Sequence, residues 1–260
     1  MSGPKILTLD IENAPMQAHV WSLFKVNVGL SQLQTDWYIL SWAAKWMHED
    51  YVYSDALINY PTDYKEDHEC DYRVLVSIRD FIDEADIIVG HNSQAFDLPK
   101  IYARMLVHGI TPPSPVQQID TLKIAKQVFR FSSNKLQHIA GVLGLGTKTE
   151  TGGHQLWTDC MRGDKDAWKL MVEYNEHDVV LTEQVYLALR PWTKTHPNHA
   201  LYQNDGVRRC NKCGSDDVIR NGYAYTNLGK FQEYHCKGCG CYPRGRKNLA
   251  DLSEVLTNVL

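Results

Sequence analysis

The 260-residue sequence predicts an α/β fold, a mixed sheet flanked by helices, followed by a small cysteine-bearing module. Three observations carry that prediction. Short β-branched and aromatic runs come first, so the chain opens as a strand meander. Buried apolar runs then alternate with helical spacing, the pattern of strands joined through helices. Finally, four of the seven cysteines fall in two C-x-x-C pairs near the C-terminus.

The elements follow in order. Residues 5–12 (KILTLDIE) read as the opening strand. Residues 37–46 (WYILSWAAKW) and 51–57 (YVYSDAL) read as two more, with the polar MHED between them as a hairpin turn. Residues 75–84 have helical spacing. Residues 86–91 (DIIVGH) read as a buried strand bounded by Gly90. A helix is expected over 98–108, with Gly109 as the residue just past its end. Residues 119–131 are mixed, and 134–143 read as a helix with Asn134 as N-cap. Residues 166–189 form a long amphipathic helix that Pro191 stops. The expected organisation is a domain over 1–190, a Pro-, Asn- and His-rich linker over 191–206, a module over 207–247, and a tail over 248–260 that is a candidate for a last helix.

At 43% hydrophobic and 22% charged residues, the composition is that of a globular protein. No apolar run reaches the roughly 20 residues a membrane span needs. The N-terminus shows no secretory signal, so a cytoplasmic setting is expected, bacterial or that of a host cell. The net charge is −4 but unevenly spread: residues 206–247 hold nine basic and three acidic side chains, +6, which leaves −10 elsewhere. A basic module beside an acidic body divides polyanion capture from chemistry. An odd cysteine count in such a setting argues for a metal site over a disulfide framework.

Asp10 and Glu12, two apart on a strand, project from one sheet face. Two carboxylates on a face that is partly buried are costly unless a cation neutralises them, and hard divalent cations prefer such oxygens. Alone, the pair reads more readily as a solvated strand face, where such pairs are common. Asp97 follows a strand and a His-Asn turn, and Tyr174 and Asp178 share a helical face at i and i+4. LDIE, N-x-x-x-F-D at 92–97 and Y-x-x-x-D at 174–178 together resemble the three motifs of the DEDD, or DnaQ-like, 3′–5′ exonuclease superfamily. The segment HNSQAFDLPKI also resembles the second motif of family-B DNA polymerase proofreading domains. The resemblance spans roughly residues 5–190. It implies a ribonuclease H-like fold and two Mg²⁺ or Mn²⁺ ions held by Asp10, Glu12, Asp97 and Asp178. It also implies Tyr174 as the residue that positions or helps deprotonate the attacking water. The histidine branch would carry His where Glu173 stands, so the likeness is to the tyrosine branch. Leu9, Ile11, Asn92 and Phe96 are candidates for the walls of a terminal-nucleotide pocket, each with an equal alternative as core or turn residue.

Cys210, Cys213, Cys236 and Cys239 offer four thiolates to a tetrahedral Zn²⁺ of structural role. Cys241 and His235 are spare neighbours, and Cys70 and Cys160 read as interior residues. The run CNKCGSDDVIRNGYAYTNLGKFQEYHCKGCGCY resembles the zinc ribbons of transposases and similar DNA-binding proteins. Arg208, Lys230, Tyr223 and Tyr225 suit phosphate contact and base stacking there. A ribbon that only docks on protein is the alternative. The function expected is a 3′–5′ exonuclease on DNA, with single-stranded 3′ ends as substrate. The rivals are an RNA exonuclease, a structure-directed endonuclease on the same fold, and a non-catalytic nucleic-acid-binding protein.

Overall fold

The run ILTLDIEN forms β1 (Ile6–Asn13) in a computed structural model that describes residues 3–146, 152–203, 205–251, 253 and 256. β1 is the central strand of a five-stranded sheet. It pairs antiparallel with β4 (Ile39–Trp46) on one side and parallel with β6 (Ile87–Gly90) on the other. β5 (Tyr53–Ala56) joins β4 antiparallel, and β7 (Gln117–Asp120) joins β6 parallel. The order is therefore β5-β4-β1-β6-β7. Antiparallel neighbours need only a short turn, whereas parallel additions need crossovers. Helices α2 (Tyr72–Glu84) and α3 (Asp97–Val107) supply them. This is the mixed α/β architecture expected.

β1 explains where a site belongs. Leu7, Leu9 and Ile11 are buried in the core, and Thr8 is buried on the other face, so the first half reads as a strand covered on both sides. Asp10, Glu12 and Asn13, at its carboxyl end, are only half-buried. α2 packs on the core through Val74, Leu75, Ile78 and Ile82, all with no exposed surface. Each such side chain contributes about 1.5–3 kcal/mol. Asp71, just before α2 and fully buried, accepts from the Ile39 amide and pairs with Arg104 of α3, tying three elements together. α3 ends as expected: Gly109 (φ 66°) donates to the Leu106 carbonyl and Ile110 to that of Met105. That is the two-bond close of a helix at a left-handed glycine.

The smaller elements are the ribbon β2 (Gln17–Ala18) with β3 (Leu33–Thr35), α1 (Pro61–Glu66), α4 (Thr121–Val128), α5 (Leu136–Val142), α6 (Gln155–Met161) and the long α7 (Lys165–Leu189). One expectation is corrected. Lys135, not Asn134, is the N-cap of α5. The Asn134 carbonyl is instead engaged by His91 Nε2 at 3.0 Å, which holds that residue outside the helix.

The chain divides into two compact units, Lys5–Val185 and Met1–Pro4 with Tyr186–Leu260. The division falls inside α7, ahead of Pro191. In the second unit Tyr186 stacks on His196, and Lys212 donates to the Pro191 and Thr193 carbonyls. β8 (Val218–Thr226), β9 (Gly229–Cys236) and β10 (Arg244–Asn248) form an antiparallel sheet in the order β10-β9-β8. The last-helix candidate at 248–260 includes residues 252, 254–255 and 257–260, which lie outside the described residues.

Candidate active site

β1 presents Asp10 and Glu12, and α7 brings Asp178 to them. One oxygen from each of the three carboxylates lies within 4.8 Å of the others. Negative charges this close repel one another unless a cation sits among them. Asp97, first residue of α3 and 3% exposed, stands outside that 4.8 Å group. Its Oδ1 accepts the amide N–H of Ile11 at 3.1 Å, so it is anchored on the residue between Asp10 and Glu12. Burial pushes the Asp97 carboxyl up to about 7, Asp120 adds to the rise, and the Ile11 hydrogen bond opposes it. Tyr174, one helical turn before Asp178, is buried and meets the Trp157 ring edge-on, with centroids 6.0 Å apart.

Neutral donors fix two of these carboxylates. Asn175 Nδ2 donates to Asp10 Oδ2 at 2.7 Å, and Ser41 Oγ of β4 donates to Asn175 Oδ1 at 3.1 Å. Trp157 Nε1 of α6 donates to Glu12 Oε2 at 3.0 Å. Ser54 of β5 donates to Glu176 at 2.5 Å, and Lys45 of β4 pairs with Glu183, so α7 is held across two strands. Sequence reasoning missed Asn175, Ser41 and Trp157. A signal for Asn175 existed: it lies three residues before Asp178 and so shares its side of the helix. Asn175→Ala is expected to lower activity roughly 10–100-fold, with a matching rise in the Mn²⁺ concentration needed for half-maximal rate, as for partners that orient metal-binding carboxylates. Circular dichroism melts check that the variant stays folded. An unaltered Mn²⁺ dependence would show that Asp10 needs no such support.

The turn that delivers Asp97 is built without slack. A Cβ on Gly90 would lie 2.4 Å from the Ser93 side chain, so only glycine fits there. Asn92 adopts φ 70°, a conformation that asparagine tolerates better than most residues. Its amide donates to Asp120 Oδ1, and its carbonyl accepts from Ala95 and Phe96. Asn92 is therefore the maker of this turn. Asp120 also caps α4 through the Leu122 and Lys123 amides, a double duty unnoticed in the sequence. Phe96 is 39% exposed, with the Lys100 ammonium 5.0 Å above its ring. Leu9 and Ile11 lie in the core, and Ile11 meets the site through its backbone. His91 is structural, paired with Thr121 Oγ1 and the Asn134 carbonyl, and burial lowers its pKa.

In the second unit the sulfurs of Cys210, Cys213, Cys236 and Cys239 lie within 4.8 Å of one another. Cys210 and Cys239 are 3.7 Å apart and Cys213 and Cys236 are 3.6 Å apart. The edge of a tetrahedron with ~2.3 Å zinc–sulfur bonds is about 3.8 Å, so the four sulfurs fit that ion. Cys241 is more than a neighbour. Its sulfur is 3.3 Å from Cys210 and 3.4 Å from Cys239, making a five-sulfur cluster. His235 stacks on Tyr242 instead. Of the residues considered for nucleic acid, Tyr223 and Tyr225 are exposed, with the Lys230 ammonium 4.0 Å and 5.9 Å from their rings. Arg208 lies over Tyr234 at 4.7 Å.

With this geometry in hand, likeness to known proteins is informative. A family model described as the RNase_H superfamily matches residues 41–190. That span contains Asp97, Tyr174 and Asp178 and begins after the strand that bears Asp10 and Glu12. A family B DNA polymerase from the hyperthermophilic archaeon Pyrobaculum calidifontis is similar over 73% of this chain and 26% of its own, at 15% identity and a TM-score of 0.49. The chain thus spans about a quarter of that polymerase's length. No curated protein matches. Among the described residues no helix is long and apolar enough to cross a membrane.

Proposed function

The chain belongs to the RNase H superfamily, and from that premise we propose that it is a metal-dependent 3′–5′ exonuclease of the tyrosine type, acting on single-stranded DNA ends. The observation that carries this reading is the convergence of Asp10, Glu12 and Asp178 within 4.8 Å, with Asp97 anchored on the amide between the first two. Clustered hard oxygen ligands with an elevated carboxyl pKa beside them suit divalent cations. Asp10, Glu12, Asp97 and Asp178 would hold two Mg²⁺ or Mn²⁺ ions. When bound, such ions make hydroxide available near neutral pH and stabilise the leaving 3′ oxygen. Asn175 and Trp157 keep Asp10 and Glu12 in their orientations, and Tyr174 holds the attacking water. In the second unit, Cys210, Cys213, Cys236 and Cys239 would hold one structural Zn²⁺ as a zinc ribbon. Arg208, Lys230, Tyr223 and Tyr225 on that module would grip the strand, phosphates by charge and bases by stacking.

The test is incubation of the full-length protein with 5′- or 3′-labelled single-stranded DNA and RNA of equal sequence, in Mg²⁺, Mn²⁺ or chelator. Stepwise shortening of 5′-labelled DNA from its 3′ end, stopped by chelator, is the expected result. Products cut at internal positions would replace this reading with an endonuclease, and faster loss of RNA would reverse the sugar preference.

A further inference from the structure

The segment joining β1 to β4 leaves the sheet just after Glu12 and displays apolar surface that folding does not use. Trp21, Leu23, Phe24 and Leu30 are 99%, 88%, 84% and 91% exposed. Leaving such side chains in water forgoes the gain that burying apolar surface brings. The segment is a formed hairpin. Gln17 and Ala18 pair with Thr35 and Leu33, the His19 amide donates to the Gln32 carbonyl, and Gln32 Nε2 donates to the His19 carbonyl. Its charge is also distinctive. Residues 13–35 contain no Asp or Glu, while Lys25 and His19 are present, in a chain whose residues outside 206–247 sum to −10.

We infer that this hairpin, residues 17–35, is a base-stacking platform for the unpaired 3′ segment of a nucleic-acid strand entering the carboxylate site. The inference rests on the nuclease reading above. Trp and Phe stack on any base, because every base has a π-face, and Lys25 can contact a phosphate. Four residues separate Glu12 from Gln17, and at ~3.3–3.6 Å per residue the platform begins within a few nucleotides' length of the metal-binding carboxylates. Freedom from carboxylates lets a polyanion approach this segment, and Lys25 supplies the one cation on it. The cleft at the hairpin's root, lined by Met16, Tyr38 and His154, also bears Glu66, Asp67 and Glu69. Against these three carboxylates the lining sets one arginine, Arg162, so the cleft is net negative and favours phosphates less than the carboxylate-free hairpin does.

The test uses the full-length zinc-loaded protein with Trp21→Ala, Phe24→Ala and the double substitution. Binding of fluorescein-labelled oligo-dT is read by anisotropy without added Mg²⁺ or Mn²⁺ and without chelator, and hydrolysis is followed on oligo-dT and on a thymidine 5′-monophosphate nitrophenyl ester too short to reach the hairpin. The double variant is expected to bind oligo-dT about 10-fold or more weakly and to raise its KM in step, with hydrolysis of the small ester unchanged. Trp21→Phe should retain binding and Trp21→Leu, equally apolar, should not. Unchanged affinity and KM in the double variant, with hydrolysis intact, would overturn the platform. So would sedimentation showing that the wild type self-associates through this hairpin while its oligonucleotide affinity is independent of it. If the wild type hydrolyses nothing, the nuclease reading fails, and the anisotropy series still decides whether the hairpin stacks bases.

Discussion

Chelating metal from the full-length protein is expected to unfold residues 206–247 and leave the sheet of β1, β4, β5, β6 and β7 intact. Among the described residues of that module, Cys210, Gly214, Phe231, Cys236 and Cys241 are buried, so three of its five interior positions are cysteines. No residue of β8 is buried. One phenylalanine cannot offset the backbone entropy of three strands at roughly 1–2 kcal/mol per residue. A tetrathiolate zinc site supplies about 10–16 kcal/mol in small zinc peptides, and losing it here removes most of the module's stability. Contact among the sulfurs lowers Cys210 and Cys239 and raises Cys213, and burial raises Cys236, so the four thiols share their protons as one group. Amide hydrogen exchange should show the β8–β10 amides losing protection on zinc release, one ion per chain by a colorimetric zinc assay, while β1 and β4 amides keep theirs. Cys236→Ser should do the same without chelator. Full protection of β9 in metal-free protein would mean that the fold of the module does not depend on the ion.

The contrast between what was and was not legible follows from the range of the interactions. β1, α3 and α7 could be placed because their signals are local: alternation in ILTLDIEN, Gly109 two residues after Val107, and apolar spacing up to Pro191. The carboxylates were legible because three short motifs keep chemistry and spacing together. Trp157, 145 residues from its partner Glu12, gave no local sign, since α6 is short and follows a stretch without periodicity. Asp120 was hidden for another reason. Its cap on α4 is local, but its hold on the Asn92 amide is not. Asn134 misled because an asparagine before an apolar run is a good cap candidate, and only the distant His91 decides otherwise. The exposed hairpin was passed over because a sequence rich in Val, Leu, Trp and Phe gives no hint that its side chains face water. Cys241 was read as spare because spacing rules count pairs, whereas the backbone after Cys239 turns it back onto Cys210.

Asp97→Asn is expected to abolish metal-dependent hydrolysis while making the metal-free protein more stable above neutral pH. The substitution removes a carboxylate that would hold the ions supplying hydroxide and stabilising the leaving oxygen, and a cost of about 10²-fold or more in kcat is expected. The stability effect has the opposite sign for a definite reason. In the unfolded chain Asp97 ionises near 3.8, and in the folded, metal-free protein burial raises this to about 7. Below pH 3.8 the carboxyl is neutral in both states, and the protein enjoys its full stability there as far as this group is concerned. As pH rises toward 7 the unfolded state alone releases the proton, so stability falls, and above 7 the loss is complete at roughly 4 kcal/mol. An asparagine still offers Oδ1 to the Ile11 amide and has no charge to bury. Thermal melts in chelator should therefore coincide for wild type and variant near pH 4 and separate in the variant's favour by pH 8. Adding Mn²⁺ at pH 8 should reverse that order, because the wild type, with all four carboxylates, gains more binding energy in the folded state than the variant with three. Calorimetry in buffers of different ionisation enthalpy should also show proton release as Mn²⁺ enters the wild type near pH 7, and little in the variant. Equal melting at pH 8 in chelator together with equal Mn²⁺ stabilisation would remove Asp97 from the metal site and leave it a buried helix-start residue.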